Sequence, residues 1–292
     1  FIEKCGPKHY RWVHDKVQEA SLLLTKKSMA SFQLDVGSSL YYCLDEESLE
    51  EELFNVTDII NNGNVKKRPE FARLNLRAAE KARRISAIQS AANYAAKGLE
   101  LLQDGNILTS RILTLQLYTI GAEMEHALGN IEKAEEYAEE ILGRDEYTIM
   151  EKMPFKVVSI RKELLVDFKY DQTIERCLEM LKELDYKLMW SRRTAPLQTL
   201  VELKKAIRRV KNTKMFKETN YSLDNMTDQK HLLWMRLIGL FVYSAYQSRQ
   251  PLLHVVGVCR NVQITLDHGI GTESGVNFAG LGLLVVAVQG DF

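Results

Sequence analysis

A histidine next to a carboxylate, His14-Asp15, is the arrangement from which a charge-coupled acid–base pair can be made. No nucleophile motif accompanies it, and Asp15 stands where a following helix needs an N-cap, so a structural role accounts for both residues. The other histidines (His9, His126, His231, His254, His268) form no H-E-x-x-H or other metal-ligand pattern. The four cysteines, Cys5, Cys43, Cys177 and Cys259, are scattered with no C-x-x-C pair, which speaks for reduced thiols in a cytosolic protein. Gly269-x-Gly271 has the spacing of a phosphate-binding turn, but that motif follows a strand and here a helical pattern precedes it. The strongest chemical feature is a basic run: Lys204, Lys205, Arg208, Arg209, Lys211, Lys214 and Lys217. Lys204/Arg208 and Lys205/Arg209 are one helical turn apart, which makes a solvated face or a docking face for an acidic partner or neighbouring domain. No catalytic, cofactor-binding or metal-ligating residue is assigned from these patterns, and no cofactor is expected in this segment.

Composition narrows the classes further. The chain has 292 residues, 46% of them hydrophobic, with only five prolines and sixteen glycines, which is ample for a core and poor in loops. Thirty-nine basic residues balance thirty-nine acidic ones, without the basic excess of a nucleic-acid binder. Leu232 to Tyr246 is the most apolar stretch; it is too short for a bilayer and is interrupted by Arg236, so a buried helix and no membrane partner are expected. A first residue of Phe1, inside an apparent structural element, reads as a piece of a longer protein.

The elements that would position these residues are mostly helices. Phe1 to Cys5 and Tyr10 to Val13, around Gly6-Pro7-Lys8, predict a short β-hairpin, followed by a helix from about Asp15 through Leu24. Helices are then predicted over Ser28–Leu44 and Glu46–Asn61, the second closed by Gly63 as a C-cap. From Pro69 the helices come in pairs: Pro69–Arg84 with Ala87–Leu102, Leu108–Leu128 with Glu132–Leu142, and Pro154–Asp167 with Asp171–Leu184. Phe71, Leu74, Ala78 and Ala82 share one face of the first helix, and Leu113, Leu117, Ile120, Met124 and Ala127 one face of the third. Pro154 suits a first-turn position. Leu197 to about Met215 is the basic helix, and Tyr221–Thr227 is a polar loop. Lys230–Gln247, Pro251–Asp267 and Val276–Gln289 are apolar helices.

The return helices share a signature. Ser86-Ala-Ile88, Gly129-Asn-Ile131 and Phe168-Lys-Tyr170 each open one; Ile88 to Ile131 is 43 residues and Ile131 to Tyr170 is 39. Each is followed at fixed offsets by small residues (Ala91 and Ala95, Ala134 and Ala138, Thr173 and Cys177) and then by Leu99, Leu142 or Leu181. Small residues one turn apart admit a close neighbour helix, and a period of about forty residues belongs to helical solenoids. The same register places Ala134 in a helix contact and Glu135 toward solvent.

Tyr10-Arg-Trp-Val-His-Asp-Lys-Val-Gln-Glu-Ala20 resembles the segment closing the ATPase module of large AAA/STAND-type signalling proteins, predicted ATPases fused to a serine/threonine kinase or to GAF and histidine-kinase domains. Phe71-Ala-Arg-Leu-Asn-Leu-Arg-Ala-Ala-Glu-Lys-Ala82, Tyr94-Ala-Ala-Lys-Gly-Leu99 and Met226-Thr-Asp228 resemble the tetratricopeptide-like region of that family, so the resemblance covers nearly the whole chain. It implies a parent with an upstream nucleotide-binding domain using ATP and Mg, and a kinase domain. There is no G-x-x-x-x-G-K-[ST], H-R-D-x-x-x-x-N or D-F-G here, so no ATP-site residue carries over.

The expected fold is all-α: a tetratricopeptide-like helical superhelix (64–292) preceded by a winged-helix-like or helical remnant of the ATPase module (1–63). The expected function is that of a regulatory, sensing arm in the cytoplasm, working by protein–protein or intramolecular contact, with a free-standing peptide-binding adaptor as the alternative. Val276 to Gln289 is apolar nearly all round, and the chain stops at Gly290-Asp-Phe292 where a partner helix ought to start, so the repeats read as truncated. Self-association through Leu283, Leu284, Val286 and Val288 is the expected result.

Overall fold

In a computed structural model of the chain, residues 2–4, 6, 10–12, 28–63, 65, 68–102, 107–188, 193–213 and 223–289 are described. The helix expected from Asp15 to Leu24, and with it His14-Asp15, lies outside them, as do His9, Cys5, Lys214 and Lys217. The hairpin is present: β1 (Ile2–Lys4) pairs antiparallel with β2 (Tyr10–Trp12), Glu3 opposite Arg11. The other described elements are helical, an all-α repeat of helices packed in consecutive pairs. The chain divides into two compact units, Phe1–Tyr137 and Ala138–Phe292, with the division inside the helix Ile131–Leu142.

In the first unit, α1 (Met29–Cys43) starts at Ser28, whose side chain accepts from the Ser31 N–H. The single helix expected over 46–61 is two, α2 (Glu46–Glu51) and α3 (Leu53–Asn61). Glu52 separates them, leaving the helical region at φ −91°, ψ 11°. Gly63 is needed for space: a Cβ there would lie 2.8 Å from the Leu34 Cβ of α1. Pro69 opens α4 (Pro69–Arg84), where its missing N–H costs nothing. Phe71, Leu74, Ala78 and Ala82 of α4 are all buried as the spacing predicts. They share one core with Leu53, Val56 and Ile60 of α3, with Ala91 and Ala95 of α5 (Ile88–Leu102), and with Leu113, Leu117, Ile120 and Met124 of α6 (Ile107–Ala127). Ala127 is exposed, so the α6 stripe is one residue shorter than its spacing suggests.

Polar side chains fix this core in register. Asn61 and Asn75 exchange amide hydrogen bonds of 2.8 and 3.0 Å between α3 and α4, and the Tyr94 hydroxyl of α5 donates to Asp58 at 2.8 Å. Glu50 of α2 accepts from Arg77 at 3.1 Å and lies 3.6 Å from Lys81, and the Arg77 bond holds its carboxyl below the usual range.

The second unit contains the rest of α7 (Ile131–Leu142), then α8 (Ile149–Leu165), α9 (Tyr170–Glu183), α10 (Ala195–Asn212), α11 (Gln229–Gln247), α12 (Pro251–His268) and α13 (Ser274–Gln289). Pro154 lies inside α8 rather than in its first turn. The helix begins earlier because Thr148 and Glu151 form a capping box: the Thr148 Oγ1 accepts from the Glu151 N–H at 3.3 Å, and the Glu151 carboxylate from the Thr148 N–H at 2.8 Å. Met153, Ile160, Cys177, Leu181, Phe241 and Leu253 build the main core, and the Trp234 Nε1 of α11 donates to the Leu184 carbonyl at 3.1 Å.

The repeat signature has a backbone cause. Ser86, Gly129 and Phe168, the first residues of the three turns, all adopt left-handed conformations (φ 60°, 82° and 55°). After α4 the Ser86 N–H bonds to Arg83 O and the Ala87 N–H to Ala82 O; after α6 the Gly129 N–H bonds to His126 O and the Asn130 N–H to Glu125 O. These are Schellman closures, which satisfy the last carbonyls of one helix and aim the chain back along it. Two further instances escaped the sequence pattern: Asp185 (φ 59°) and Tyr186 close α9 in the same way, and Arg249 (φ 55°) and Gln250 close α11 and launch α12 at Pro251. All six small residues of the signature are fully buried, whereas of the three leucines only Leu181 is; Leu99 and Leu142 are half-buried. Glu135 is half-buried too, so the solvent side of α7 is marked by Glu132, Glu136 and Glu139 instead.

In α13, Leu281 is buried against Leu203, Ala206, Val258 and Val262, with Leu284 and Val285 packed onto the same cluster. Val276 and Leu283 are each 73% exposed. The uncovered face thus runs through Val276, Ala279 and Leu283. Leu284 and Val286, expected on it, are half-buried, and the Val288 side chain lies outside the described residues.

Candidate interaction surface

Helix α10 has two faces with different tasks. Ala195, Thr199, Leu203 and Ala206, three to four residues apart, are buried toward α12. Polar clamps flank this seam. Glu202, only 13% exposed at its side chain, accepts from the Arg260 Nη2 at 2.7 Å and from the Gln263 Nε2 at 2.9 Å. Near the other end, the Arg209 guanidinium bonds to both carboxylate oxygens of Asp267, Nη1 to Oδ2 at 2.9 Å, and holds the Asp267 carboxyl below its usual range. Arg209 is therefore spent inside the fold. Lys204, Lys205 and Arg208, the other three residues of the predicted docking face, are exposed, and so is Lys211. None of these four forms an ion pair with another described residue.

The same exposed strip continues toward the N-terminus of α10 with Leu197 (65% exposed), Leu200 (45%) and Val201 (54%). Sequence reasoning missed this apolar half. The signal was present, since 197, 200, 201, 204, 205, 208 and 211 form one i, i+3, i+4 series, but exposed leucines read as core.

A concavity of about 780 Å³ opens between the end of α11, the start of α12 and α13, lined by Tyr246, Arg249, Gln250, Pro251, His254 and Leu284. The His254 ring stands 5.6 Å from that of Tyr246, with its Nδ1 3.2 Å from Val242 O. A guanidinium, a phenol and an imidazole around an apolar wall are groups that hold a ligand in place.

The remaining chemical candidates have structural duties. At Gly269-x-Gly271 the backbone donors are used: the Gly269 N–H bonds to Thr265 O, the Ile270 N–H to Asp224 O at 2.8 Å, and the Gly271 N–H to the Ser274 Oγ at 3.0 Å. A Cβ on Gly269 (φ 104°) would lie 2.5 Å from Asp224 O, so glycine is demanded by both conformation and space. His231 and His268 stack at 3.7 Å between ring centroids, joining the start of α11 to the end of α12. Cys177 and Cys259 are buried free thiols, each pushed up to about 12 chiefly by burial, and Cys43 is free and exposed. Among the described residues no three His, Cys, Asp or Glu side chains gather as metal ligands, and no helix is long and apolar enough to cross a membrane.

No family model matches this chain, and no curated protein or solved structure matches it either.

Proposed function

We propose that this chain is the regulatory, sensing helical-repeat arm of a multidomain signalling ATPase of the AAA/STAND type that also carries a kinase domain, acting by contact with a protein partner or a neighbouring domain in the cytoplasm. The observation that carries the reading is the recurring junction at Ser86, Gly129, Phe168 and Arg249, which turns one helix back on the next. Repetition of one such unit makes a scaffold whose outer faces are free to bind. The exposed cations of α10 supply one such face. In the parent, ATP and Mg would be held by the upstream module. The alternative, a free-standing adaptor that binds peptide, draws on the cleft beside Tyr246 and Arg249.

Sequencing the same reading frame on both sides separates the two: a P-loop upstream supports the arm, and an uninterrupted frame without one supports the adaptor. Titration of the purified chain with ATP and Mg is the direct check on its own chemistry. No saturable binding at micromolar nucleotide is expected, because no phosphate-cradling motif is present in the sequence. Saturable binding would overturn the assignment of all nucleotide chemistry to the parent.

A further inference from the structure

We infer that the exposed strip of α10 is a docking face for one acidic, amphipathic helix of a partner protein, with leucine-like anchors in one half and glutamates or aspartates in the other. The inference rests on reading the chain as an interaction arm and specifies which surface does the work and what it takes. The strip is polarised along its length: Leu197, Leu200 and Val201 are exposed at the N-terminal end, and Lys204, Lys205, Arg208 and Lys211 at the C-terminal end. From Leu197 to Lys211 it is about 21 Å long at the helical rise, some four turns.

Its chemistry selects the occupant. None of the four cations is ion-paired with a described acid, and only Lys205 is close enough to help lower the Asp267 carboxyl, so the strip is an electropositive ledge beside an apolar one. The side opposite is immobilised: Thr199, Leu203 and Ala206 are buried, and the Glu202–Arg260 and Arg209–Asp267 pairs bind α10 to α12. A preorganised ledge loses little entropy on binding. A second copy of the same strip is disfavoured, because parallel pairing sets cation on cation and antiparallel pairing sets cation on leucine. A bilayer is a poorer fit as well, since a surface-lying helix carries its cations along a whole face beside its apolar face, not at one end of the strip. A helix of matching polarity satisfies both halves at once, its side chains entering the i, i+3, i+4 grooves.

The test uses the whole chain and a labelled 21-residue helical peptide with leucines at i, i+3, i+4 in one half and glutamates in the other. A scrambled peptide of equal composition and vesicles of phosphatidylserine and phosphatidylcholine complete the set. Saturable binding of the designed peptide by fluorescence anisotropy is expected, weakening as salt rises. The triple variant Lys204→Glu, Lys205→Glu, Arg208→Glu and the double variant Leu197→Ser, Val201→Ser should each weaken it at least tenfold, with unchanged circular dichroism. Arg249→Glu, at the separate cleft, should leave binding intact. The inference is overturned if the designed peptide does not bind, binds no better than the scramble, or is lost only with Arg249→Glu. It is overturned equally if the vesicles alone bind, or if the leucine double variant on α10 abolishes a concentration-dependent scattering mass that Leu283→Lys leaves in place, which would put a second copy on the strip. Because the assay uses the chain alone, its failure leaves the upstream P-loop undecided, and a frame without a P-loop leaves this face intact.

Discussion

At the scale of single residues, the repeat turns show what the backbone demands apart from packing. A Cβ on Gly129 would meet no atom within 4 Å, so the space around it is empty and only its φ of 82° calls for glycine. Gly129→Ala should therefore cost about 1–2 kcal/mol, the left-handed penalty of an L-residue. Ser86 carries that penalty already at φ 60°, so Ser86→Gly should stabilise by a few tenths to about 1 kcal/mol, the gain trimmed by the greater freedom of glycine in the unfolded chain. Urea midpoints of the two variants should move in opposite directions; shifts of one sign would contradict the assigned turn geometry. Ala134 tests packing instead. It is fully buried, so Ala134→Leu should overpack its surroundings by ~1–3 kcal/mol. Glu136→Leu, on the exposed side of the same helix, should stay within about 0.5 kcal/mol. Equal thermal shifts for these two would place α7 in the wrong rotation.

Among elements, the joint between α11 and α12 couples packing to pH. His268 lies against His231, whose N–H is capped by Asp228, and beside Asp267. Burial first, and the facing His231 second, hold the His268 pKa below its ordinary 6.5, while Asp267 and Asp228 pull the other way. The unfolded chain then takes up the proton before the folded one. The stabilising contribution is whole above pH 6.5 and is lost as pH falls through the lowered folded value. Thermal midpoints measured from pH 7.5 to pH 5.5 should drop more for the native chain than for His268→Gln, and parallel curves would remove His268 from the account. The elements themselves were largely legible. Pro69 and Pro251 mark helix starts to the residue, and the small residues after Ile88, Ile131 and Tyr170 mark the return helices. The junction at Arg249 was hidden because its close contact uses a different residue: a Cβ on Gly257 would lie 2.4 Å from Val242, outside the register of Ala91 and Ala134. The capping box at Thr148 was masked by Pro154, a stronger helix-start signal in sequence than in the fold. Of the docking face, sequence could place the cations on a helix but could not tell that Arg209 turns toward Asp267, a residue remote in the chain.

For the molecule as a whole, the question is which exposed apolar surface brings copies together, and charge decides it. Beside the exposed Ile149 and Leu165 of α8 and Tyr243 and Tyr246 of α11, the helices α10 and α13 carry the two surfaces to compare. On α10 the residues Leu197, Leu200 and Val201 share their strip with four cations, and like charges hold a second copy off. On α13 no charged residue occurs between Ser274 and Gln289, so Val276 and Leu283, each 73% exposed, lie on a face with nothing to repel its own image. Ala279 and Ala287, also exposed on that side, allow a close approach. The opposite side is committed through Leu281 to the cluster around Val258 and Val262, so the exposed side cannot turn inward without losing that packing. Uncovered apolar surface of this kind favours association by removing area from water. The native chain should accordingly show a scattering mass that rises with concentration, and Leu283→Lys should lower it by placing like charges across the contact. The triple α10 charge reversal serves as the comparison at matched concentration, because it alters net charge without touching α13. A native chain that stays monodisperse at every concentration would show that the α13 ridge is too narrow to hold two copies together.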